Sequence, residues 1–522
     1  MIKASDLLAG LLTETNSQEL EISSVQVDSR FIEPGCAYVA VRGEKHDGHS
    51  FIASAVKSGA SLIIGEEAPE RVFKLLTRGT HQVRYVQVLD SRAALALIAA
   101  NYYGRPSSSL LVIGVTGTSG KTTTTYIAES ILSSAGHKVG VIGTVNYRFA
   151  GVTLPADHTT PGALDLQRLL YEMKSRGCTA VVMEVSSHAL KQQRTAYVAF
   201  DVGIFTNLSR EHMDFHPDME DYFASKALLF KESFCFSRTA GKEPSAVINS
   251  EDDFGRRLIK DLSGKIPKQH ILKFGGTTKH LTDVVSDSYL KATLAGISGR
   301  VGDVSVKSAL MGRFNAYNIL AAIGMAKALN LNKACIEQGI AALSAVPGRL
   351  EQVKNQKGIH VFVDYAHKPD ALEKVLRTLG EVKGSGRIIT VFGCGGDRDK
   401  TKRPVMGQIA VDLSDLVVVT SDNPRTEDPG LIINEILAGI QPYESSTVRR
   451  CLVESDRRKA IWMALNAATR GDILLIAGKG HETYQIVSDH VAAEAGLKKT
   501  VKIDFDDRKV VSEFLAEKNT VT

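Results

Sequence analysis

The sequence lacks any long apolar segment. Apolar runs such as Leu110–Val115 and Ile473–Ala477 are far shorter than the roughly 20 residues that a transmembrane helix needs. The first residues, Met1–Asp6, contain no continuous apolar core of the kind that marks a signal peptide. We therefore expect a cytoplasmic protein with no membrane partner.

Cysteine is scarce and scattered. The six cysteines include no CxxC pair, so neither a disulfide framework nor a cysteine metal cluster is expected, and the thiols should be reduced. Cys394 lies in a glycine-rich loop, but no histidine is fixed beside it in the sequence. A nucleophilic role for Cys394 is therefore not expected.

Charge of one sign is also nearly absent. Lys and Arg number 63 against 58 Asp and Glu, a net charge of +5 over 522 residues. Such an excess suits small anionic substrates but does not predict a nucleic-acid partner. The composition, 43% hydrophobic and 23% charged, is that of a globular protein. At about 150 residues per domain, the length predicts three to four domains.

Two turn-rich stretches interrupt a chain that has no low-complexity tract and no clear repeat. They are Gly104–Ser109 and Val346–Arg349, and segments of this composition commonly join domains. The predicted domains are therefore 1–105, 106–345 and 346–522.

Short β-branched runs alternate with helical patterns in the second and third segments. In the second, Leu110–Val115 precedes a glycine-rich loop and a helical stretch, Thr122–Ala135. The other predicted strands there and in the third segment are Ala180–Met183, Val202–Phe205, Val361–Val363, Ile388–Phe392, Leu416–Thr420 and Asp472–Ile476. This alternation indicates an α/β fold with parallel sheets. The first segment is predicted to be a smaller α/β domain with strands at Ser24–Asp28, Ala37–Val41, Ser61–Gly65 and Val83–Val88.

Polar and glycine-rich segments follow these strands directly. They are Gly117–Thr122, Glu184–His188, Asn207–Asp214, Asp364–His367, Gly393–Arg398, Asp422–Arg425 and Gly478–Glu482. Ligands of open parallel sheets bind beyond the carboxyl ends of the strands. Each of the two larger domains is thus expected to present one edge of its sheet to substrate, with a site between the domains.

The segment Gly114–Thr122 has the composition of a phosphate-binding loop between a strand and a helix. Its glycines let backbone N–H groups turn toward a phosphate, and the following helix adds its positive end. Lys121 would neutralise the β- and γ-phosphates, and the Thr122 hydroxyl would bind Mg²⁺. The match is not strict, because Val115 stands where the first glycine is usual. The alternative is a tight strand-to-helix turn.

Candidate metal ligands follow the same strands. Mg²⁺ prefers hard oxygen ligands, so Glu184 and Thr122 are good candidates. His212 is a less usual ligand, and on its own it would be interpreted as an ordinary core or surface histidine. Lys226, in the apolar stretch Asp221–Phe230, would on its own be interpreted as a lysine whose ammonium group reaches solvent.

The motifs together resemble those of the Mur ligases of peptidoglycan synthesis. The first set is Gly114–Thr123, Met183–His188, Thr206–Leu208, His212–Asp214 and Lys226. A second set resembles the members that add the third residue of the peptide: Asp28–Arg30, His158–Pro161, Asp364–Asp370, Gly393–Arg398, Asp422–Arg425 and Gly478–Glu482. The resemblance covers nearly the whole chain, and the motifs come in order.

The resemblance implies three domains: a UDP-MurNAc-binding domain, a central ATPase domain and a Rossmann-like C-terminal domain. It implies an ATP-dependent ligase that joins meso-2,6-diaminopimelate to UDP-MurNAc-L-Ala-D-Glu through an acyl phosphate. It further implies that Lys226 is carbamylated, which would turn a cation that repels Mg²⁺ into an oxygen anion that can bind it. Lys121, Glu184, His212 and Lys226 would be catalytic, and Thr122, Glu184, His212 and Lys226 would hold Mg²⁺.

The resemblance also assigns binding residues to ATP and to the UDP-linked substrate. ATP would contact Gly117, Thr118, Ser119, Gly120, Lys121, Thr122, Thr123, Asn315, Asn318, Arg349 and Asp364. Ser29 would contact the uridine end of the other nucleotide, and the muramoyl part would contact His158, Thr159, Thr160, Ser186, Gln192 and Arg194. Taken alone, each hydroxyl could instead be a turn residue or a helix cap.

The segment Asp422–Arg425 discriminates best among possible amino-acid substrates. A strand-ending turn would explain Asp422, Asn423 and Pro424 but not Arg425. The planar guanidinium of Arg425 matches a carboxylate, and diaminopimelate has a distal carboxylate that lysine lacks. The remaining candidates for this substrate are Arg398, whose guanidinium could bind a carboxylate in the same way, Gly478, and Glu482, which could bind the distal ammonium. Two such charged hydrogen bonds would favour diaminopimelate by about 10²–10⁴.

Two other functions stay open on the sequence alone. Folylpolyglutamate synthase shares the ATPase and C-terminal architecture, although His158–Pro161 and Asp422–Arg425 fit a muropeptide better. A nucleotide-gated binding or scaffold protein could keep the fold without ligation, but it would not need the whole set of reactive residues. The expected assembly is a monomer.

Overall fold

The computed structural model describes residues 1–11, 20–43, 46–75, 83–276, 284–286, 290–440, 450–489 and 499–517. The described residues form two compact units. The first contains those up to 286 together with Val301–Val304 and Tyr317–Ile340, and the second contains 290–300, 305–316 and those from Ala341 onward. Within the described residues, no helix combines the length and apolarity that a membrane span requires.

A sheet of nine described strands organises the first unit. Its strand order is Val152–Pro155, Asn146–Phe149, Val139–Ile142, Ala180–Glu184, Leu111–Thr116, Val202–Phe205, Ser245–Asn249, Ile271–Gly275 and Val284–Ser286. The central strands are buried along almost their whole length, which explains their continuous apolar sequences. The three strands predicted in this part of the chain are confirmed within one or two residues, and their pairing is parallel as expected.

Two antiparallel strands of this sheet were not predicted from the sequence. Asn146–Phe149 and Val152–Pro155 form a hairpin, and the first of them pairs antiparallel with Val139–Ile142. Ala150 and Gly151 at the turn both have positive φ, 45° and 79°. Two such residues make the tight turn that matches the twist of a hairpin.

Helices pack on this sheet and on the smaller N-terminal one. Those of the first unit are Ala4–Leu7, Ile52–Lys57, Pro69–Leu75, Ser91–Tyr102, Lys121–Ser134, Ala163–Ser175, Ser187–Lys191, Met219–Leu228, Phe234–Thr239 and Asp253–Leu262. Arg313–Ala328 and Lys333–Ala342 lie mostly in this unit. Met219–Leu228 continues into a π-helical turn, Leu229–Ser233.

The N-terminal region has a parallel sheet of short strands. They lie in chain order as Val25–Gln26, Ala37–Val39, Leu62–Gly65 and Arg84–Gln87. A separate antiparallel pair joins Ile2–Lys3 to Glu21–Ile22. The four strands predicted here are confirmed, although each is shorter than its predicted range.

The second unit is built on a sheet whose strand order is Glu351–Val353, His360–Asp364, Ile473–Ala477, Ile388–Phe392, Leu416–Val419 and Arg450–Val453. All described pairs are parallel except the one at Glu351–Val353. Alternate residues of each strand enter two cores, as Leu475 and Leu474 do. Helices therefore cover both faces: Pro369–Val382, Lys402–Leu413 and Pro429–Leu437 on one, Arg457–Ala467 and Asp507–Glu517 on the other.

Smaller strands complete the second unit. Tyr484–Ser488 pairs antiparallel with Thr500–Asp504. Lys291–Thr293, Gly296–Val301 and Val304–Ser308 form a separate sheet of three described strands. In each unit the predicted polar segments lie at the carboxyl ends of the parallel strands, where a ligand can approach loop amides and helix N-termini.

Candidate active site

The phosphate loop has a shape that glycine alone permits at two positions. Gly117 has φ of 145°, and a Cβ there would lie 1.9 Å from Thr206 Oγ1. Gly120 has φ of 86°, and a Cβ there would lie 2.4 Å from Asn318 Oδ1. L-residues rarely adopt such φ values, so both positions require glycine for conformation as well as for space. A tight turn and a phosphate loop both have such glycines, so the contacts around the loop must decide.

Backbone contacts hold the loop against the segment that follows a neighbouring strand. The Thr118 amide donates to Asn207 O at 2.9 Å, and the Ser119 amide donates to Asn207 Oδ1 at 2.9 Å. Lys121 begins the following helix, and its Nζ donates to Gly117 O and Thr118 O at 2.9 Å each. Thr122 and Thr123 are buried in the first turn of that helix. The lysine and the helix N-terminus thus lie where a phosphate would be bound.

Lys226 is buried beside this loop. Its side chain is 1% exposed, and Nζ donates to Gly117 O at 2.9 Å and lies 4.6 Å from the centroid of the Tyr222 ring. Burial, together with the nearby charge of Lys121, lowers the pKa of Lys226 well below its usual value. The alternative of an ammonium group in solvent is therefore wrong.

Glu184 is buried at the end of its strand. Its Oε1 accepts from the Thr144 amide at 2.8 Å, and its Oε2 accepts from Thr144 Oγ1 at 3.0 Å. Thr144 was missed from the sequence, because the strand that precedes it, Val139–Ile142, was not predicted. Both donors are neutral, and each carboxylate oxygen keeps a lone pair for a further ligand.

The predicted ligand His212 lies among aromatic and acidic side chains. It has φ of 59°, its ring centroid is 4.9 Å from that of His188, and its Nε2 is 3.8 Å from the Glu211 carboxylate. His188 in turn stacks on Phe215 with centroids 3.9 Å apart. In the part of the chain that is described, no group of three or more His, Cys, Asp or Glu side chains could hold a metal ion. The predicted Mg²⁺ ligands are not a group of this kind, because two of the four, Thr122 and Lys226, are other residue types.

A buried histidine that sequence reasoning missed joins two elements of this site. His216 Nδ1 lies 2.6 Å from Asp221 Oδ2, and its Nε2 lies 2.9 Å from Ser187 Oγ. Asp221 belongs to the helix that carries Lys226, and Ser187 begins the short helix after Glu184. His216 therefore fixes the two helices relative to each other.

Several of the residues predicted for the muramoyl part are brought together. Thr160 Oγ1 donates to Glu184 O at 2.9 Å and accepts from the Ser186 amide at 3.1 Å. Arg194 donates to Thr160 O at 3.0 Å and from two nitrogens to Gln192 Oε1 at 2.9 and 2.6 Å. Ser186 also caps the helix Ser187–Lys191, so it has the alternative role of a helix cap as well.

Other members of that set lie at its margin. Thr159 Oγ1 is 3.1 Å from Thr144 Oγ1, whereas the His158 side chain is exposed and its carbonyl accepts from Tyr147 Oη at 2.5 Å. Ser29 lies in the N-terminal region at the start of a 3₁₀ turn, Ser29–Phe31, which Asp28 caps. Within the described residues, no hydrogen bond connects Ser29 to the muramoyl set.

The residues predicted for the nucleotide base and ribose are buried. In the first unit, Asn318 Oδ1 accepts from Thr124 Oγ1 at 3.3 Å. In the second, Asn315 Nδ2 donates to Met311 O at 2.7 Å. Asp364 accepts from the amides of Leu350 at 2.7 Å and Ala366 at 2.8 Å, and burial raises its pKa.

Arg349 belongs to the same group of predicted nucleotide contacts. Its guanidinium carbon lies 4.9 Å from the centroid of the Tyr365 ring, which follows Asp364 directly. The Arg349 charge partly offsets the effect of burial on the Asp364 carboxyl. Guanidinium groups commonly stack in this way on the faces of aromatic rings.

The loops predicted for the amino acid meet in the second unit. Arg425 has φ of 53°, its amide donates to Ile486 O at 3.0 Å, and its Nη1 donates to Gly396 O at 2.7 Å. A Cβ at Gly396 would lie 1.9 Å from Pro424 O, so the two loops are in backbone contact. Arg398 is exposed on the loop Gly393–Arg398.

Lys479 organises the rest of this pocket. Its fully buried Nζ donates to Asn423 Oδ1 and to Glu482 Oε2, at 3.0 Å each, and Asn423 Nδ2 donates to Glu482 at 2.9 Å. A Cβ at Gly478 would lie 2.3 Å from Asp422 Oδ2, an oxygen with no hydrogen-bond partner among the described residues. Lys479 lies within the segment Gly478–Glu482, but a lysine in the sequence does not by itself indicate a buried role.

Comparison with known proteins decides the family. Residues 115–326 match the Mur ligase middle domain, residues 348–480 match the Mur ligase glutamate ligase domain, and residues 21–103 match the Mur ligase family catalytic domain. The chain belongs to the Mur ligase family. The relatives of this Mur ligase include UDP-N-acetylmuramoyl-L-alanyl-D-glutamate–2,6-diaminopimelate ligases of Geobacter metallireducens and Geobacter sulfurreducens, 46% and 43% identical. The alignments cover 95% and 94% of this chain and 94% and 93% of those proteins.

A solved structure is similar to this Mur ligase along the whole chain. It is titled as a UDP-N-acetylmuramoyl-L-alanyl-D-glutamate–2,6-diaminopimelate ligase, and it is 30% identical, with 99% of each chain covered and a TM-score of 0.70. The α/β architecture with parallel central and C-terminal sheets is thus confirmed.

Cys394 of this Mur ligase is not poised for nucleophilic chemistry. It is a buried residue of the Gly393–Arg398 loop, with Sγ 3.8 Å from Met406 Sδ. Burial raises the pKa of its thiol to about 12. The thiolate that a nucleophile requires is therefore absent at neutral pH, as the sequence predicted.

Proposed function

We propose that this Mur ligase joins meso-2,6-diaminopimelate to UDP-MurNAc-L-Ala-D-Glu in an ATP-dependent reaction of peptidoglycan precursor synthesis. The observation that carries the proposal is the phosphate loop with Lys121 folded over it, in a chain that aligns along its length with relatives bearing that name. The expected location is the cytoplasm, and the expected assembly is a monomer. The proposed domains are 1–105, 106–345 and 346–522, for UDP-MurNAc, ATP and the amino acid.

The chemistry follows from the poor reactivity of a carboxylate at neutral pH. The side-chain carboxylate of D-Glu attacks the γ-phosphorus of ATP, ADP leaves, and an acyl phosphate forms. The free amine of diaminopimelate then attacks the acyl carbon, loses a proton, and inorganic phosphate leaves as the amide bond forms. Phosphoryl transfer needs positioning and charge neutralisation rather than a protein nucleophile.

The loop Gly117–Thr123 would bind the ATP phosphates through its amides. Lys121 Nζ, which contacts two loop carbonyls 2.9 Å away, would turn to the phosphate oxygens and balance the negative charge that passes to ADP. Asn315, Asn318, Arg349 and Asp364 would contact the base, ribose or phosphate.

Thr122, Glu184, His212 and Lys226 would hold Mg²⁺. Glu184 fits this role because its described partners are the neutral amide and hydroxyl of Thr144, which leave its charge uncompensated. When bound, Mg²⁺ supplies positive charge at the phosphate oxygens. Glu184 ends the strand Ala180–Glu184, and Thr122 lies in the first helical turn that follows the neighbouring parallel strand, Leu111–Thr116.

Lys226 would act as N6-carboxylysine. An ammonium group does not react with CO₂, but a neutral amine does, forming an N–C bond and releasing a proton. Burial and the nearby charge of Lys121 lower the pKa of Lys226, which favours the neutral amine that this reaction requires. The anionic product would then offer oxygen ligands that the unmodified amine does not have.

The substrates would be held by hydroxyl and guanidinium groups. Ser29 would contact the uridine end, and His158, Thr159, Thr160, Ser186, Gln192 and Arg194 would contact the muramoyl part. For diaminopimelate, Arg425 and Arg398 would bind carboxylate, and Glu482, positioned by Lys479 and Asn423, would bind ammonium. Asp422, Pro424 and Gly478 would shape that pocket.

Phosphate release tests the proposal against its rivals. With purified protein, release should require ATP, the UDP-linked dipeptide and diaminopimelate together, and the product should be the UDP-linked tripeptide. Turnover that depends on a folate would favour folylpolyglutamate synthase activity. ATP binding without turnover under any substrate combination would favour a scaffold. The two relatives aligned along the chain support the ligase over both alternatives.

A further inference from the structure

A network of ion pairs and hydrogen bonds around the buried Arg403 joins the two loops that carry Arg398 and Arg425. We define the loop clasp as Arg403, Glu427, Asp397 and Thr426. Arg403 is fully buried, and its Nη1 and Nη2 each donate to a different oxygen of Glu427 at 3.0 Å. Its Nη2 also donates to Gly395 O at 3.1 Å. One guanidinium thus contacts both loops.

Glu427 and Asp397 complete the clasp from the opposite side. The Asp397 amide donates to Glu427 Oε1 at 2.5 Å, and the Asp397 carboxylate accepts from the amide and hydroxyl of Thr426 at 3.1 and 2.9 Å. Arg403 lowers the pKa of Glu427 to about 2, so the carboxylate is fully charged at neutral pH. Thr426 directly follows Arg425, so the clasp constrains the backbone of that arginine.

The conformation of Arg425 needs this support. Its φ of 53° is unfavourable for a residue with a side chain, as is the φ of 53° at Asp397. Arg425 Nη1 is bonded to Gly396 O, whereas its Nε and Nη2 have no hydrogen-bond partner within the described residues. A change in the distance between the two loops would break the Gly396 contact and turn the remaining N–H groups away from their present direction.

Stability alone is a weak reason for such a clasp. Burying a guanidinium costs free energy that its ion pairs only repay with good geometry, and apolar packing of similar volume is often as stable. What a bidentate pair provides is a fixed relative position of the groups it joins. Here those groups are the two loops that the proposed function assigns to substrate carboxylate.

We propose that Arg403 and Glu427 are positioning residues that set the preference for an amino acid with a distal carboxylate. They do so by holding the Arg425 loop against the Gly393–Arg398 loop. This inference rests on the proposed function, because it assumes that Arg425 binds the carboxylate that distinguishes diaminopimelate from lysine. Neither residue touches the substrate.

The test measures kcat and KM for diaminopimelate and for lysine in Arg403→Lys and Glu427→Gln. Both substitutions approximately keep the size of the side chain and remove the bidentate ion pair between Arg403 and Glu427. We expect KM for diaminopimelate to rise by at least about tenfold. The kcat at saturation and kcat/KM for lysine should stay within about threefold. The ratio of the two kcat/KM values should therefore fall by about tenfold in each variant.

Arg387→Lys provides a matched control. Arg387 donates from Nε and Nη2 to Asp472 in the same unit, at the opposite ends of the strands Ile388–Phe392 and Ile473–Ala477. Losing this pair of hydrogen bonds should leave the ratio of the kcat/KM values for diaminopimelate and lysine unchanged. If Arg403→Lys does not fold, Glu427→Gln decides, since Glu427 is partly exposed.

Two negative outcomes are distinguishable. An unchanged ratio in folded variants of an active enzyme would overturn the clasp alone, as would an equal fall for both amino acids, which a purely structural role predicts. A wild-type protein that does not couple diaminopimelate would overturn the proposed function, and the inference with it.

Discussion

Lys121 and Lys226 donate to the same oxygen, Gly117 O, each at 2.9 Å. Burial, together with repulsion by the nearby charge of Lys121, lowers the pKa of Lys226. The phosphate loop, where ATP is expected to bind, thus adjoins a buried amine whose neutral form is favoured. This pair of contacts links the nucleotide site to the proposed modification.

Replacing Lys226 should remove most of the activity. We expect Lys226→Ala to lower kcat by about 10²–10³-fold, the size of effect seen when a transition-state charge partner is lost. A small carboxylic acid such as acetate should restore part of the rate by supplying the missing oxygen anion. The control is Lys231→Ala. Lys231 is close to Lys226 in the sequence, but it makes a partly exposed ion pair with Asp261. Full activity in Lys226→Ala would contradict the assignment.

The shape of the phosphate loop predicts a second result. Gly117→Ala would place a methyl group about where Thr206 Oγ1 now lies, at a φ that alanine rarely adopts. ATP should therefore no longer raise the Tm of this variant, as measured by thermal unfolding with and without nucleotide. Gly380→Ala is the control, since nothing lies within 4 Å of its added Cβ and it belongs to a helix. Equal protection of Gly117→Ala and the wild type by ATP would exclude this nucleotide site.

Much of the fold could be predicted from the sequence because local patterns specify it. The strand Leu111–Thr116 and the helix Lys121–Ser134 were predicted within one or two residues, since an apolar run and a glycine-rich loop mark their ends. The hairpin at Ala150 and Gly151 was missed, because Ala-Gly is not one of the dipeptides typical of such turns.

The composition of the candidate site was harder to predict than its location. Thr144 contacts a carboxylate 40 residues away, and Lys479 contacts an amide 56 residues away. Arg403 and Glu427 are 24 residues apart and were not singled out at all. Such pairs depend on how strands are ordered in the sheet, which a sequence pattern does not specify. The ligand-binding roles of the predicted residues remain predictions.

Arg425→Ala should affect the amino-acid substrate specifically. Loss of one charged fork is expected to raise KM for diaminopimelate by about 10–100-fold, while KM for ATP stays unchanged. Steady-state kinetics with each substrate varied in turn would measure both. Arg377→Ala removes an exposed helical ion pair with Glu373 and should change neither constant. An unaltered KM for diaminopimelate in Arg425→Ala would refute the role given to this arginine.

Acid stability should depend on Asp472. Its hydrogen bonds to Arg387 and to backbone amides outweigh the effect of burial and lower its pKa to about 2. A lowered pKa in the folded state stabilises the protein above about pH 4, and that contribution is lost as the pH falls toward 2. Asp472→Asn should reduce the free energy of unfolding by about 1–3 kcal/mol at pH 7.

The same variant provides the pH test. Urea unfolding from pH 7 to pH 2 should show a difference between wild type and Asp472→Asn that shrinks with acidity below about pH 4. A difference that stays constant over this range would show that the Asp472 carboxylate contributes through shape rather than charge.

The most direct test of the whole account is ATP-dependent coupling of meso-diaminopimelate, compared with lysine, to UDP-MurNAc-L-Ala-D-Glu by the purified protein. The account predicts formation of the UDP-linked tripeptide with one ADP and one phosphate released per product, and a preference for diaminopimelate of about 10²–10⁴ in kcat/KM. Equal use of the two amino acids, or ATP hydrolysis without product, would contradict it.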